Sequence, residues 1–318
     1  MPLDIVVLFF IMGLLAKLIG SNLSFPKGLH HSISIFLMLS IGLKGGIALA
    51  DNLSPTILVE ALLFIGFGAL LPISGYFILK KIGDFNRANA ASVAAHFGSV
   101  SIGTYAVAIA LLESQNISYE AYFPLFVVLL EFPAMFIAVI LAHKSGKDND
   151  DIPAISLPSL VKQILQNESI VLLFGGLVIG FMAHEQAFKL LPFYKELFHG
   201  VLALFLLVMG MDAGAKLSSL KQQSIFLIAF STFMPITNGL IGGLFATYLG
   251  FSIGGVFLTI VLAASASYIA VPIAMRSLLP SACHSTGITA SLGIAFPFNI
   301  IAGIPVYWVY AHWLGKVF

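Results

Sequence analysis

Charge is scarce in this sequence. Asp, Glu, Lys and Arg together make up 9% of its 318 residues, against roughly 25% in an ordinary soluble domain. So few charges cannot cover a water-soluble fold, whose surface would become one continuous apolar patch. That excludes a soluble enzyme, a nucleic-acid binder and a disordered scaffold. The formal net charge of +1 leaves no basic footprint for nucleic acid. Cysteine is nearly absent, and the single Cys283 excludes an internal disulfide and a cysteine-based metal cluster. The histidines show no metal-ligand spacing, and GxSxG, HExxH and P-loop patterns are missing. No nucleophile–base pair emerges from the text, so an enzyme is not expected and no cofactor is called for. Long polar runs are missing too, apart from residues 144–168.

What is present is apolar text. Hydrophobic residues account for 59% of the chain and the mean hydropathy is +1.03. A bilayer span needs roughly 20 mostly apolar residues. Breaking the sequence at charges and Pro/Gly clusters predicts ten spans, near 4–20, 30–49, 56–79, 88–112, 119–143, 169–186, 197–217, 224–249, 252–278 and 286–315. These runs are apolar on both parities, which favours helices over a β-barrel. The expectation is an all-α polytopic membrane protein in contact with lipid. MPLDIVVLFF carries no Lys or Arg before its apolar run, so it reads as the first span rather than a signal peptide. The polar stretch 144–168, with KSGKDNDD and a weakly amphipathic SLPSLVKQILQN, divides the chain into 1–143 and 169–318. Eleven of the 15 Lys and Arg fall on the side of that linker. This predicts a cytoplasmic linker, both termini outside and residence in the plasma (inner) membrane. Tyr307, Trp308, Tyr310 and Trp313 suit an interfacial aromatic belt, or plain packing at a helix end.

The two halves repeat each other at an offset of roughly 165 residues. IVVLF (5–9) matches IVLLF (170–174), and SIGLKGGIAL (40–49) resembles VMGMDAGAKL (208–217). Pro72-Ile73-Ser74 faces Pro235-Ile236-Thr237, Ala94-Ala95 faces Ala263-Ala264, and FPAMFIAVI (132–140) matches FPFNIIAGI (296–304). A unit of five spans is odd, so its second copy enters from the opposite face. The expected plan is two inverted five-helix repeats, as in many secondary transporters.

Such transporters bind substrate near the midplane, at interrupted helices whose half-helix N-termini point inward. Each half offers one interruption. In the fourth span, Gly98, Ser99, Ser101, Gly103 and Thr104 weaken the helix, and Ser101 can cap a new half-helix running to Glu113. The freed amides and the positive dipole end attract an anion. The same small residues also fit a close helix–helix contact. In the ninth span, Ser265 and Ser267 supply hydroxyls and Pro272 disrupts the ladder or opens a half-helix, with a simple proline kink as the alternative. Glu131, before Phe132-Pro133, is a buried-span carboxylate able to help hold a cation or carry a proton. Lys44 and Asp212, at equivalent repeat positions, read as snorkelling or paired residues, and Glu60 and Glu113 as span-end residues. His96 reads as a hydrogen-bonded structural histidine.

At this level the sequence resembles the sodium-dependent bicarbonate transporters of the SbtA type along nearly its whole length. The specific pieces are FGSVSIGT (97–104), ESQNISYEAYFPLF (113–126), LEFPAM (130–135), LLVMGMDAGAKLSSL (206–220), GFSIGGV (250–256) and AASASYIAVPIAMR (263–276). The resemblance implies ten spans with broken helices 4 and 9, a homotrimer and termini outside. It implies Na⁺-coupled bicarbonate uptake by an elevator-like motion, and regulation by a cytoplasmic PII-like protein. Carried over by motif are Gly98, Ser99, Ser101 and Thr104 with Ser265 and Ser267; Val100, Tyr268, Ile269 and Ala270, within the same two interruptions, complete the expected substrate-binding set. Glu131, Ser267 and Tyr268 form the ion-coupling set. The family's ninth span continues its serine run with aspartate and then I-S-G-P-P; here Ala266, Tyr268, Ala270, Val271 and Ile273 stand instead. A phenol in place of a carboxylate is a neutral, weaker cation ligand.

Bicarbonate is a small monoanion with three oxygens, which hydroxyls and amides at two opposed half-helix N-termini can satisfy. A nearby Na⁺ offsets the cost of the anion in low dielectric. Tyr268 and Glu131 keep a rival open, a proton-coupled or other-anion permease. A passive anion channel and a membrane sensor or scaffold are the rivals from other classes.

Overall fold

The computed structural model describes residues 4–144, 157–217 and 223–317. Residues 145–156, about half of the expected linker, lie outside them, as do 218–222 with the end of the 206–220 motif and Lys221.

Regular structure among the described residues is entirely helical. The first half contains α1 (Ile5–Leu18), α2 (Lys27–Asn52), α3 (Pro55–Lys81), α4 (Arg87–Gly98), α5 (Ile102–Ser114), α6 (Pro124–Glu131) and α7 (Pro133–Lys144). After α8 (Leu157–Leu165) come α9 (Glu168–Met182), α10 (His184–Leu217), α11 (Ile225–Tyr248), α12 (Ile253–Ala264), α13 (Ala270–Leu278) and α14 (His284–Val317). Local chemistry sets several starts. Asp4, Asn86, Asn167, Ser224 and Ser252 each accept a first-turn amide through the side chain, as N-caps do.

Seven helical spans among the described residues are long and apolar enough to cross a membrane, and an eighth is counted if the bent pair Pro158–Leu165 and Glu168–Met182 is one span. The chain is thus a multi-pass membrane protein. The difference from ten has a geometric cause. At 14 and 12 residues, α1 and α12 are apolar but short, covering about 21 and 18 Å at ~1.5 Å per residue. Boundaries also move. The sixth run stops at Met182 and the seventh starts at His184, so α10 is a 34-residue helix. The amphipathic piece before the second half is α8, which meets α9 at 71°.

Helices α1 and α10 pack together, as do α2 and α9. Small residues let these backbones touch. A Cβ on Gly42 or Gly46 would strike the carbonyl oxygen of Leu173 or Leu177, and one on Gly210 that of Phe10. Around them, α3 packs on α4 and α11 on α12. The long α14 is widened into π-helix at Thr289–Ala295 and Asn299–Gly303, either side of Pro297. Such π segments often accompany functional sites.

Candidate functional site

Two helices are interrupted deep in the molecule. After Gly98 the chain runs extended through Ser99 (φ −100°, ψ 172°) to Ser101 before α5 begins. After Ala264 it is irregular from Ser265 to Ile269 before α13 begins. Pro272 sits in the first turn of α13, where its missing N–H costs nothing.

The two interruptions cross and are hydrogen-bonded to each other. The Ser101 N–H donates to Ser265 Oγ at 2.9 Å, and Ser265 Oγ–H donates to Leu262 C=O at 2.8 Å. The Ser267 N–H donates to His96 C=O at 2.8 Å, and His96 Nδ1 lies 2.6 Å from Ser267 C=O. A carbonyl only accepts, so Nδ1 carries the proton. Each break also caps the helix that follows it. Ser101 Oγ accepts from Thr104 N–H at 3.2 Å and from Thr104 Oγ1–H at 2.9 Å, and Ser267 Oγ accepts from Val271 N–H at 3.4 Å.

Between the breaks lies a cavity of ≈ 10 Å³, room for about one water. Residues 100–102, 267–270 and Glu131 line it. The starts of α5 and α13 meet there, and the amides of Ile102 and Gly103 lie at the mouth of α5, beyond the reach of its internal ladder. Neither Lys nor Arg lines this cavity, so any anion there meets dipoles and hydroxyls rather than a fixed cation.

Glu131 ends α6 where Phe132-Pro133 interrupts the expected fifth span, and it is 1% exposed. Ser99 Oγ–H reaches its backbone C=O at 3.3 Å and its Oε2 at 3.5 Å. Tyr268 is buried, its ring 4.7 Å from that of Phe296. Its Oη is close to Ser101 yet makes no hydrogen bond of ordinary geometry. A buried unpaired hydroxyl costs about 1–3 kcal/mol, and here it borders the cavity. Gly103 is there to admit it, since a Cβ would collide with Tyr268 Oη and lie 2.7 Å from the Phe205 ring.

The sequence-derived set therefore separates. Val100, Ser101, Ser267, Tyr268, Ile269, Ala270 and Glu131 come together around the cavity. Ser99, Thr104 and Ser265 act on those residues through hydrogen bonds. Gly98 faces away, against the ring of Pro72 in α3. Of the other charged residues singled out, Lys44 pairs with Glu113, and Glu60 accepts from Tyr122 Oη at 3.0 Å.

Sequence reasoning missed three asparagines and a serine. Asn238 donates to Phe97 C=O at 3.0 Å and Asn299 to Ala264 C=O at 2.9 Å, so each broken helix has a terminal carbonyl satisfied by an amide from a neighbouring helix. Asn167 holds Ala270 C=O at 3.1 Å, and Ser291 Oγ lies 3.2 Å from His96 Nδ1. For Asn238 and Asn299 the available signal was an amide inside an apolar span, which is costly without a partner; Asn167, in the expected linker, and Ser291 carried no such signal.

Two larger cavities flank the crossing, at opposite ends of α2. One, ≈ 290 Å³, is lined by His30, Ser34 and Met38 of α2 together with Tyr268, Ile269 and Arg276. The other, ≈ 280 Å³, is lined by Ile41, Lys44 and Ala48 of α2 together with Tyr105, Glu113 and Lys195. From His30 to Lys44 is about 21 Å of helix. The first of these vestibules shares Tyr268 and Ile269 with the narrow central cavity.

No curated protein matches the chain. The family model described as the Na⁺-dependent bicarbonate transporter superfamily matches residues 5–312. The chain belongs to the Na⁺-dependent bicarbonate transporter superfamily.

Proposed function

We propose that this protein is a secondary active transporter that takes up bicarbonate together with Na⁺. The observation that carries the reading is the crossing of two broken helices, Ser101 onto Ser265 and Ser267 onto His96, around a cavity that both breaks line. Bicarbonate oxygens are satisfied by the amides at the start of α5 and by the hydroxyls of Ser101, Ser267 and Tyr268. Na⁺ travels beside it as co-substrate, with the Glu131 carboxylate supplying the negative charge nearest the cavity. Binding is weak by design, because both ions must leave again.

The architecture in this reading is ten crossings in two inverted repeats, 1–143 and 169–318, with 144–168 as a cytoplasmic linker. Paired packing supports it: α1 on α10 mirrors α9 on α2, and α3 on α4 mirrors α11 on α12. Gly42 and Gly210, equivalent in the repeat, each abut a backbone carbonyl of the opposite half. The glycine-locked α1–α10 and α2–α9 pairs form the scaffold, against which the broken helices slide in an elevator-like step. Residence in the inner membrane with both termini outside, a homotrimeric assembly and a PII-like cytoplasmic regulator complete the proposal on family grounds.

One observation favours a second reading, proton coupling. Glu131 is buried without an ion-pair partner among the described residues, and a proton would neutralise it as Na⁺ would.

The experiment is uptake of labelled bicarbonate into proteoliposomes with and without an inward Na⁺ gradient. Na⁺-dependent uptake that disappears in Ser101→Ala and Ser267→Ala supports the leading reading. Uptake that ignores Na⁺ and follows a pH gradient selects the second. Flux that never saturates indicates a channel.

A further inference from the structure

The ≈ 280 Å³ vestibule contains groups that the central cavity does not use. Tyr105 is 1% exposed, and its buried hydroxyl has no hydrogen-bond partner. Lys44 Nζ lies 3.4 Å from Glu113 Oε1 and 5.2 Å from the Phe198 ring centroid. Tyr119 Oη is also 3.4 Å from Glu113 Oε1, and His199 Nε2 is 3.7 Å from Oε2. These are long contacts, so the cluster is held loosely around open space. Lys195 adds a second cation to the lining.

The register of α5 ties this cluster to the crossing. Ser101, Tyr105, Ile109 and Glu113 recur every fourth residue, which places them on one face of the helix. The last three line the vestibule and Ser101 lines the central cavity. One helical face therefore runs from the vestibule to the site.

We infer that this vestibule is a waiting site for bicarbonate, in which Lys44 and the Tyr105 hydroxyl hold the anion's oxygens and Glu113 accepts its hydroxyl proton in a hydrogen bond. The inference rests on the proposed function only for the identity of the ligand. Its chemistry is discriminating. Chloride and nitrate can take the donors of Lys44 and Tyr105, but neither can donate to Glu113. An oxyanion bearing its own hydroxyl satisfies all three groups. It also fills the one missing hydrogen bond of Tyr105 without displacing Lys44 from its neighbours. No covalent step is involved.

The test is protection of a cysteine placed in the vestibule wall, Ala121→Cys in a Cys283→Ser background, in the full-length protein at fixed pH. The expected result is that bicarbonate slows modification by an anionic methanethiosulfonate severalfold and nitrate does not. Lys44→Gln and Tyr105→Phe should each raise the bicarbonate needed for protection about tenfold, the factor set by losing one charge-assisted or buried hydrogen bond. A neutral methanethiosulfonate reacting at an unchanged rate shows that each variant keeps the vestibule. Equal protection in the variants, equal protection by nitrate, or none by bicarbonate overturns the inference. Protection in a protein that moves no bicarbonate sinks the transport reading and leaves the site standing. Uptake without protection does the reverse.

Discussion

His96 and Ser267 hold each other by two hydrogen bonds, one through the histidine carbonyl and one through its ring. The residues are 171 positions apart and belong to different halves of the chain. This pair ties the last turn of α4 to the break before α13, beside the Ser101–Ser265 bond that joins the two breaks. His96→Ala removes the ring bond and leaves Ser267 C=O unpaired. The expected loss is about 1–3 kcal/mol of stability, measured as a lower melting temperature in detergent, with bicarbonate uptake falling further than stability accounts for.

Gly103 and Tyr268 share one volume. Gly103→Ala puts a methyl where Tyr268 Oη sits, so uptake should fall at least tenfold while the protein still inserts. Tyr268→Phe removes the colliding oxygen. The double variant should therefore be less impaired than the sum of the two single variants. Uptake rates across that cycle check the coupling. Additive losses would mean that Tyr268 does not occupy this space in the membrane.

Ser101 has two tasks, capping α5 and presenting a hydroxyl to the cavity. Ser101→Ala should cost about 1 kcal/mol as a lost cap and abolish uptake. Ser101→Asp restores a capping acceptor but brings negative charge to the cavity. It should regain thermal stability without regaining uptake, which separates the two tasks in one measurement of each kind.

Cys283 is exposed and precedes α14 on the side of Arg276. Its thiol is held below the usual cysteine range, chiefly by hydrogen bonds from Ser285 and Thr286 to the sulfur. A lowered value means more thiolate at a given pH, so maleimide labelling should persist to lower pH than for an ordinary cysteine. Ser285→Ala should move that profile upward. As the single cysteine, Cys283 also reports sidedness. An impermeant maleimide should label it in inverted vesicles and not in intact cells.

Helix-locking glycines give a fifth expectation. Gly210→Val drives a branched side chain into the Phe10 carbonyl, and overpacking of this kind typically costs about 1–3 kcal/mol. Gly175, where a Cβ meets nothing, should accept Ala with little change. Comparing the two melting temperatures tests the packing of α1 on α10.

Much of the design is legible in the text. Scarce charge and long apolar runs dictate a membrane fold, because the bilayer rejects unpaired polar groups whatever the tertiary arrangement. The interruptions at 98–104 and 265–272 are visible because serines, glycines and a proline weaken a helix through local backbone chemistry alone. Ser101 as the cap of a half-helix is local too, and it appears as read. Other features depend on residues far apart in sequence. Gly98, which looked like part of the binding text, turns its face to Pro72 in α3. The bonds of Asn238 to Phe97 and Asn299 to Ala264 span 141 and 35 positions, and no periodicity encodes them. Which hydroxyls line the cavity, which merely support it, and that Tyr268 reaches across to Gly103 were decided by the crossing itself. A hydrogen bond between two chain segments has no local signature, only a distance that folding sets.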